Sequence, residues 1–123
     1  MSIVVWVVQV VLALVFAAAG TLKVSQPKEK LQQAMAWVQD FSTPMVRFIG
    51  SVELLAAIGL VLPAATHLAP VLTPLAATGL VVVMIGAALT HARRKESQLI
   101  VVNLVLLLLA AFVAWARFGP YAL

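Results

Sequence analysis

Residues 44–63 read PMVRFIGSVELLAAIGLVLP, twenty residues that are apolar except for Arg47, Ser51 and Glu53, with a proline at each end. Proline suits the first turn of a helix, where its missing N–H has no helical partner, and is disfavoured further in. The stretch is therefore expected to be helical from Pro44 to about Leu62 and to stop near Pro63. About 20 apolar residues is also the length a helix needs to cross a hydrocarbon core of roughly 30 Å. Working outward, residues 3–21, 68–91 and 98–116 meet the same description. Pro70 and Pro74 lie in the opening turns of the third stretch, and Gly119–Pro120 ends the fourth. The expected fold is all-α: an integral membrane four-helix bundle, with 1–123 as one transmembrane domain.

Composition agrees. Hydrophobic residues make up 64% of the 123 and charged ones 10%, against roughly 45–50% and 25% in a soluble domain. A soluble domain of this size leaves too much surface exposed to hide so much apolar area. With no cysteine, a disulfide framework, a thiolate metal site and thiol–disulfide catalysis are all excluded. The net charge of +4 sits in short flanks beside apolar runs. It is no nucleic-acid footprint; the partner it implies is the lipid bilayer.

Ile3–Ala19 imitates a secretory signal, because Ala17–Ala19 is a run of small residues. A signal carries its positive charge in front, whereas here the first, Lys23, comes after. The run is expected to remain as a span. Seven basic residues (Lys23, Lys28, Lys30, Arg47, Arg93, Arg94 and Lys95) flank one side of the four spans and Arg117 alone the other. That asymmetry puts both basic connections in the cytoplasm of a bacterial inner-membrane protein, with both termini outside. Trp6, Trp115 and Tyr121 then fall at the outer interface as an aromatic belt.

Between Gln26 and Asp40 the chain is polar and basic, yet Leu31, Met35 and Val38 recur at helical spacing. Two readings stand. One is a short amphipathic cytoplasmic helix between spans one and two, with Trp37 at headgroup level, covering the inner mouth of a pocket. The other is a loop with some helical character.

Polar residues in hydrocarbon are costly and ask for a partner or a role. Glu53 lies nine residues into its span, about 13 Å deep. Gly50 and Ala57 flank it on the helix face, so it is expected to point into the bundle at a close helix contact. Unpaired, a carboxyl at that depth would favour its neutral form and serve as a proton donor or acceptor. The alternative is a structural pair with Lys23 or Arg47. Gln9, Phe16 and Lys23 are spaced by seven on one face of the first span, with small Ala13 and Gly20 between them. Lys23 either snorkels to phosphates or turns inward to Glu53. Gln9 reads as helix–helix glue or a ligand contact. Arg47 is an interfacial anchor or helps neutralise a shared cavity. Gly79, Val83, Gly86 and Thr90 form a small-residue packing stripe, and His91 ends that span. Asn103 shares a face with Ala110, Ala114 and Arg117, about 7 Å in from the cytoplasmic end. Lys23, Arg47, Glu53, His91 and Asn103 thus converge in depth on one polar pocket under an apolar vestibule.

Metal and haem are disfavoured. His67 and His91 are expected at opposite membrane faces, and Glu53 with His91 falls short of the three or four ligands a metal site wants.

Phe16-x3-Gly20-x2-Lys23, Glu53-x5-Gly59-Leu60-x2-Pro63, Gly86-x4-His91-x-Arg93 and Arg117-Phe118-Gly119 occur in that order. Together they resemble the DoxX-like family of small bacterial membrane proteins. The resemblance implies a four-helix bundle. It also implies quinone-like or thiol chemistry, through a thiosulfate:quinone oxidoreductase subunit and the related vitamin K epoxide reductase and methylamine-utilisation proteins. Without cysteine, only the non-thiol version is open to this chain.

The leading expectation is a membrane-embedded acid–base site acting on a lipophilic oxygenated molecule such as a quinone, epoxide or terpenoid. Lys23, Glu53 and His91 are its catalytic candidates, and Arg47, Asn103, Gln9 and Phe16 its substrate-binding ones. A quinone is the candidate cofactor, with nothing bound covalently. The chemistry would be isomerisation, ring opening or quinone-linked redox. A proton-coupled exporter is a second reading, since small multidrug resistance transporters share this length and an intramembrane Glu. Theirs, however, lies in the first span, which here has no carboxylate. A third is a non-catalytic accessory subunit, with a homo-oligomer or redox protein as partner.

Overall fold

The computed structural model describes residues 2–122. Its elements are α1 (Ser2–Ser25), α2 (Lys28–Ala34), a 3-10 segment (Ala36–Asp40), α3 (Thr43–Thr66), α4 (Leu72–Arg93) and α5 (Ser97–Phe118), with no strand among the described residues. Four helices, α1, α3, α4 and α5, are long and apolar enough to cross a membrane. They pack in a ring, α1 on α3, α3 on α4, α4 on α5 and α5 back on α1. Large apolar side chains such as Ile3, Leu14, Leu55, Val82 and Leu108 face outward, whereas Gln9, Lys23, Glu53, Thr73, His91, Asn103 and Arg117 are buried. That inversion of a soluble protein suits a lipid surround, in which packing and polar contacts hold helices together.

The tightest crossing is α1 on α3. A Cβ placed on Gly50 would lie 2.7 Å from the Lys23 Cβ and 2.9 Å from the Gly20 carbonyl oxygen, so the two backbones touch. Gly59 does the same on α4, where an added Cβ would meet the Ala76 Cβ at 2.9 Å. The Gly79–Gly86 stripe behaves otherwise: nothing lies within 4 Å of a Cβ at either glycine. The inward face of α4 is instead Thr73, Ala77, Leu80, Met84 and His91. Those larger groups fill the bundle and turn the glycines away.

Two prolines leave carbonyls to be satisfied by other helices. Pro63 does not stop α3, which runs on to Thr66 and ends with His67 in the left-handed region (φ 59°). The proline has no N–H for the Gly59 carbonyl one turn back, and Thr73 Oγ1 of α4 donates to that oxygen instead, at 2.9 Å. Membrane helices tolerate proline when a neighbour's side chain makes this repair. At the end of α1, Pro27 likewise has no N–H for the Lys23 carbonyl. Arg47 Nη1 donates to that oxygen at 2.5 Å.

The connection before α3 is not one helix. It breaks at Met35 (φ −133°, ψ 84°) between α2 and the 3-10 segment. Leu31, Val38 and Val46 form a small core there, with Met35, Trp37 and Phe41 packed on it. In an unbroken helix Trp37 would point about 100° away from Val38. After the break Val38 is buried while Trp37 faces a cavity between the spans rather than lying outward among headgroups.

Candidate functional site

The close crossing of α1 and α3 builds the centre of the site. Gly20 lies one turn before Lys23, and Gly50 one turn before Glu53. With the backbones in contact, the Lys23 stem runs along α3 and its Nζ reaches Glu53 Oε1 at 2.6 Å. Both residues are buried, Glu53 at 1% exposure and Lys23 at 8%. Lys23 thus turns inward and does not snorkel outward. The Trp37 ring centroid lies 5.2 Å from the ammonium, close enough for a cation–π attraction on the far side of the charge. An ion pair taken out of water survives only with such close geometry and added contacts.

The pair forms one wall of a cavity of about 270 Å3. Phe41 and Trp37 roof it, Ile49, Val83, Met84 and Ala87 supply apolar walls, and His91 and Asn103 add polar groups from α4 and α5. Gly86 lines the cavity and is also exposed, so the cavity reaches the side of the bundle along α4. The bare glycine that is idle in packing leaves that side open.

Asn103 Nδ2 points at Met84 Sδ, 3.5 Å away, and its Oδ1 is buried without a partner among the described residues. His91 is held by Glu96, with Nδ1 2.9 Å from Glu96 Oε1. Arg94 bridges Glu96 (Nε to Oε1, 3.2 Å) and Asp40 (Nη1 to Oδ2, 2.7 Å). The hydrogen bond from His91, and then the Arg94 charge, hold the Glu96 carboxyl below its usual range against the cost of burial. Because Asp40 immediately precedes Phe41, this chain of charges ties the roof to the α4–α5 turn.

Of the seven residues expected at the site, Lys23, Glu53, His91 and Asn103 line this cavity. The other three do not. Arg47 spends its guanidinium on the Lys23 carbonyl. Phe16 is fully buried in the central core with Leu12, Leu60, Leu80 and Val113. Gln9 lies in the other half of the bundle, where Nε2 donates to the Leu60 carbonyl at 2.5 Å and Oε1 accepts from Arg117 Nε at 2.7 Å. It is helix glue joining α1, α3 and α5. The apolar core that holds Phe16 separates the cavity from this second polar centre.

Arg117 was missed as part of a centre. The sequence signal for it is the face it shares with Asn103, Ala110 and Ala114: with Asn103 turned inward, Arg117 is carried inward as well. Among the described residues no cluster of three or more His, Cys, Asp or Glu is placed to hold a metal.

Fold and site together define a multi-pass membrane protein: a four-helix bundle with a buried Lys–Glu pair in the wall of a cavity near its basic end. The DoxX-like family profile matches residues 7–113, and the chain belongs to that family. The matched stretch includes Lys23, Glu53, His91 and Asn103, whereas Arg117-Phe118-Gly119 lies beyond it. No curated protein and no solved structure matches the chain.

Proposed function

We propose that the cavity binds a lipophilic, oxygen-bearing molecule (a quinone, epoxide or terpenoid) entering sideways from the bilayer, and that Lys23 and Glu53 perform acid–base chemistry on it. In this reading the basic end faces the cytoplasm across a bacterial inner membrane, and both termini are outside. One observation carries it: a buried, directly bonded Lys23–Glu53 pair lies in the wall of an otherwise largely apolar cavity.

The arrangement suits isomerisation or ring opening. Lys23 donates a proton to the substrate oxygen while Glu53 removes one from a neighbouring carbon, and no electrons leave or enter. The step leaves a neutral amine beside a carboxylic acid. A proton passing directly between them, across the 2.6 Å that separates them at rest, restores the starting pair. Such chemistry requires each group to lie within hydrogen-bond reach of the proton it moves on the substrate, and both Lys23 and Glu53 line the cavity. Asn103 offers the ligand one hydrogen-bonding end of its amide, and His91, held by Glu96, adds a further polar group.

The volume of about 270 Å3 is close to the lower bound of small-molecule sites, roughly 300 Å3. It therefore takes the polar head of one lipophile, with the remainder along the open α4 side. The apolar core beyond Phe16 favours this over export, because it interrupts any polar path through the bundle.

The test is to purify the protein in mild detergent and identify co-purified lipophiles by mass spectrometry, with Glu53→Gln alongside. A quinone or terpenoid retained by the native chain and lost from the variant is the expected result. Equal retention would remove Glu53 from the site, and bulk phospholipid alone in both would favour an accessory subunit.

A further inference from the structure

The second polar centre presents a cation with no counter-ion among the described residues. Arg117, in the last turn of α5, is 5% exposed. Its Nε donates to Gln9 Oε1 and its Nη1 to the Tyr121 carbonyl at 2.9 Å, both neutral acceptors. Nη2 is buried and has no partner among the described residues. A guanidinium cannot shed its charge as a buried carboxyl or amine can.

The chain has four acidic residues, Glu29, Asp40, Glu53 and Glu96. Three lie in or beside the two basic connections, and Glu53 is on the far side of the apolar core. Nothing acidic in the described chain therefore answers Arg117.

A second positive source lies beside it. Arg117, Pro70, Val71, Pro74 and Phe118 line a cavity of about 260 Å3 at the start of α4. Val71 occupies the cap position of that 22-residue helix and gives it no side-chain cap; the Leu72 and Thr73 N–H groups donate to the Ala69 and Pro70 carbonyls, so the helix end adds the field of its dipole and no free donor. The rest of the lining is apolar. The Trp6 ring is 5.6 Å from the guanidinium carbon, and Trp115 and Tyr121 stack edge-on at 6.4 Å. Such aromatic residues mark the headgroup level of a membrane.

We propose that this cavity binds one oxyanion, a phosphate or carboxylate, carried on an apolar body such as an anionic lipid. The site is independent of the Lys23–Glu53 cavity and of its reading.

The test uses the full chain in phosphatidylcholine nanodiscs, titrated with dioleoyl-phosphatidylglycerol in one arm and inorganic phosphate in the other. Thermal unfolding and native mass spectrometry report the binding. One saturable phosphatidylglycerol per chain is expected, and Arg117→Gln should weaken it at least about tenfold, since removing one partner of a buried charged contact raises the off-rate. Val71→Phe, at an exposed lining position, fills the cavity without disturbing the core and should weaken binding similarly. Neither change should alter lipophile retention at Glu53. Saturable binding of phosphate alone, lost in the same two variants, would assign the site to a free anion of the same chemistry. Equal binding by the native chain and both variants, or none that saturates, would overturn the proposal.

Discussion

Replacing Gly50 by alanine is expected to loosen both the bundle and the site. The new Cβ would stand 2.7 Å from the Lys23 Cβ and 2.9 Å from the Gly20 carbonyl oxygen, where ordinary contact begins at 3.4 Å. Neither obstacle can rotate away, since one is backbone and the other is the first carbon of a side chain. The helices must part by roughly 0.7 Å, and overpacking of this kind costs about 1–3 kcal/mol. Better helix propensity returns about 1 kcal/mol. The Lys23–Glu53 contact lengthens with the helix separation, from 2.6 Å to roughly 3.3 Å, which at an effective dielectric near 20 weakens the attraction by about 1 kcal/mol. The net loss is about 2 kcal/mol. Gly79→Ala is the same chemical change where nothing lies within 4 Å, so it keeps only the gain of about 1 kcal/mol. Reversible unfolding in mixed dodecyl sulfate and dodecyl maltoside micelles, followed by tryptophan fluorescence, should separate the two by about 3 kcal/mol. Agreement within about 0.5 kcal/mol, the scatter of neutral surface substitutions, would refute the backbone contact. Gly86→Ala should stabilise like Gly79→Ala yet reduce lipophile retention, because Gly86 lines the cavity.

Three further outcomes are expected. Lys23→Met strands the Glu53 carboxylate and should cost about 3–5 kcal/mol, whereas Lys23→Met with Glu53→Leu should recover most of it; a double-variant loss equal to the sum of the Lys23→Met and Glu53→Leu losses would mean that the pair contributes no coupling. Thr73→Val leaves the Gly59 carbonyl without its donor and should cost about 1–3 kcal/mol, a loss that adding Pro63→Ala should reduce by restoring an N–H. Glu96 contributes stability that is present above its unfolded value near 4.5 and is lost as pH falls through its lowered folded value. Amide exchange at Trp37–Phe41 should rise over that acid window, and Glu96→Gln should give the faster exchange already at neutral pH.

Much of the bundle was readable because crossing a membrane constrains sequence so strongly. Four apolar runs of the right length located the spans, and Glu53 stood out because a carboxylate in hydrocarbon is rare. Helical periodicity also gave Lys23 a common face with Gln9 and Phe16, and Asn103 one with Ala110, Ala114 and Arg117, while leaving the direction of the Lys23 side chain open. Periodicity describes one helix at a time, however. It gave Gln9, Phe16 and Lys23 a common face without showing that the face runs from one polar centre through an apolar core to another. It treated Pro63 as a stop, because the repair by Thr73 comes from a different helix. It took Gly79 and Gly86 for a packing seam, when neither meets a neighbour within 4 Å and Gly86 lines the cavity.

The sequence alone therefore determined the class of protein, the four spans, the basic end and the inward face of Glu53. All of these follow from transfer energies and from a 3.6-residue repeat, which act locally along the chain. Tertiary structure decided the pairings: Lys23 with Glu53 and not with phosphate, Arg47 with a carbonyl stranded by Pro27, and Arg117, among the described residues, with neutral acceptors. Those choices depend on how closely two helices approach and at what rotation. That approach is set at Gly20 and Gly50 by atoms from both helices at once.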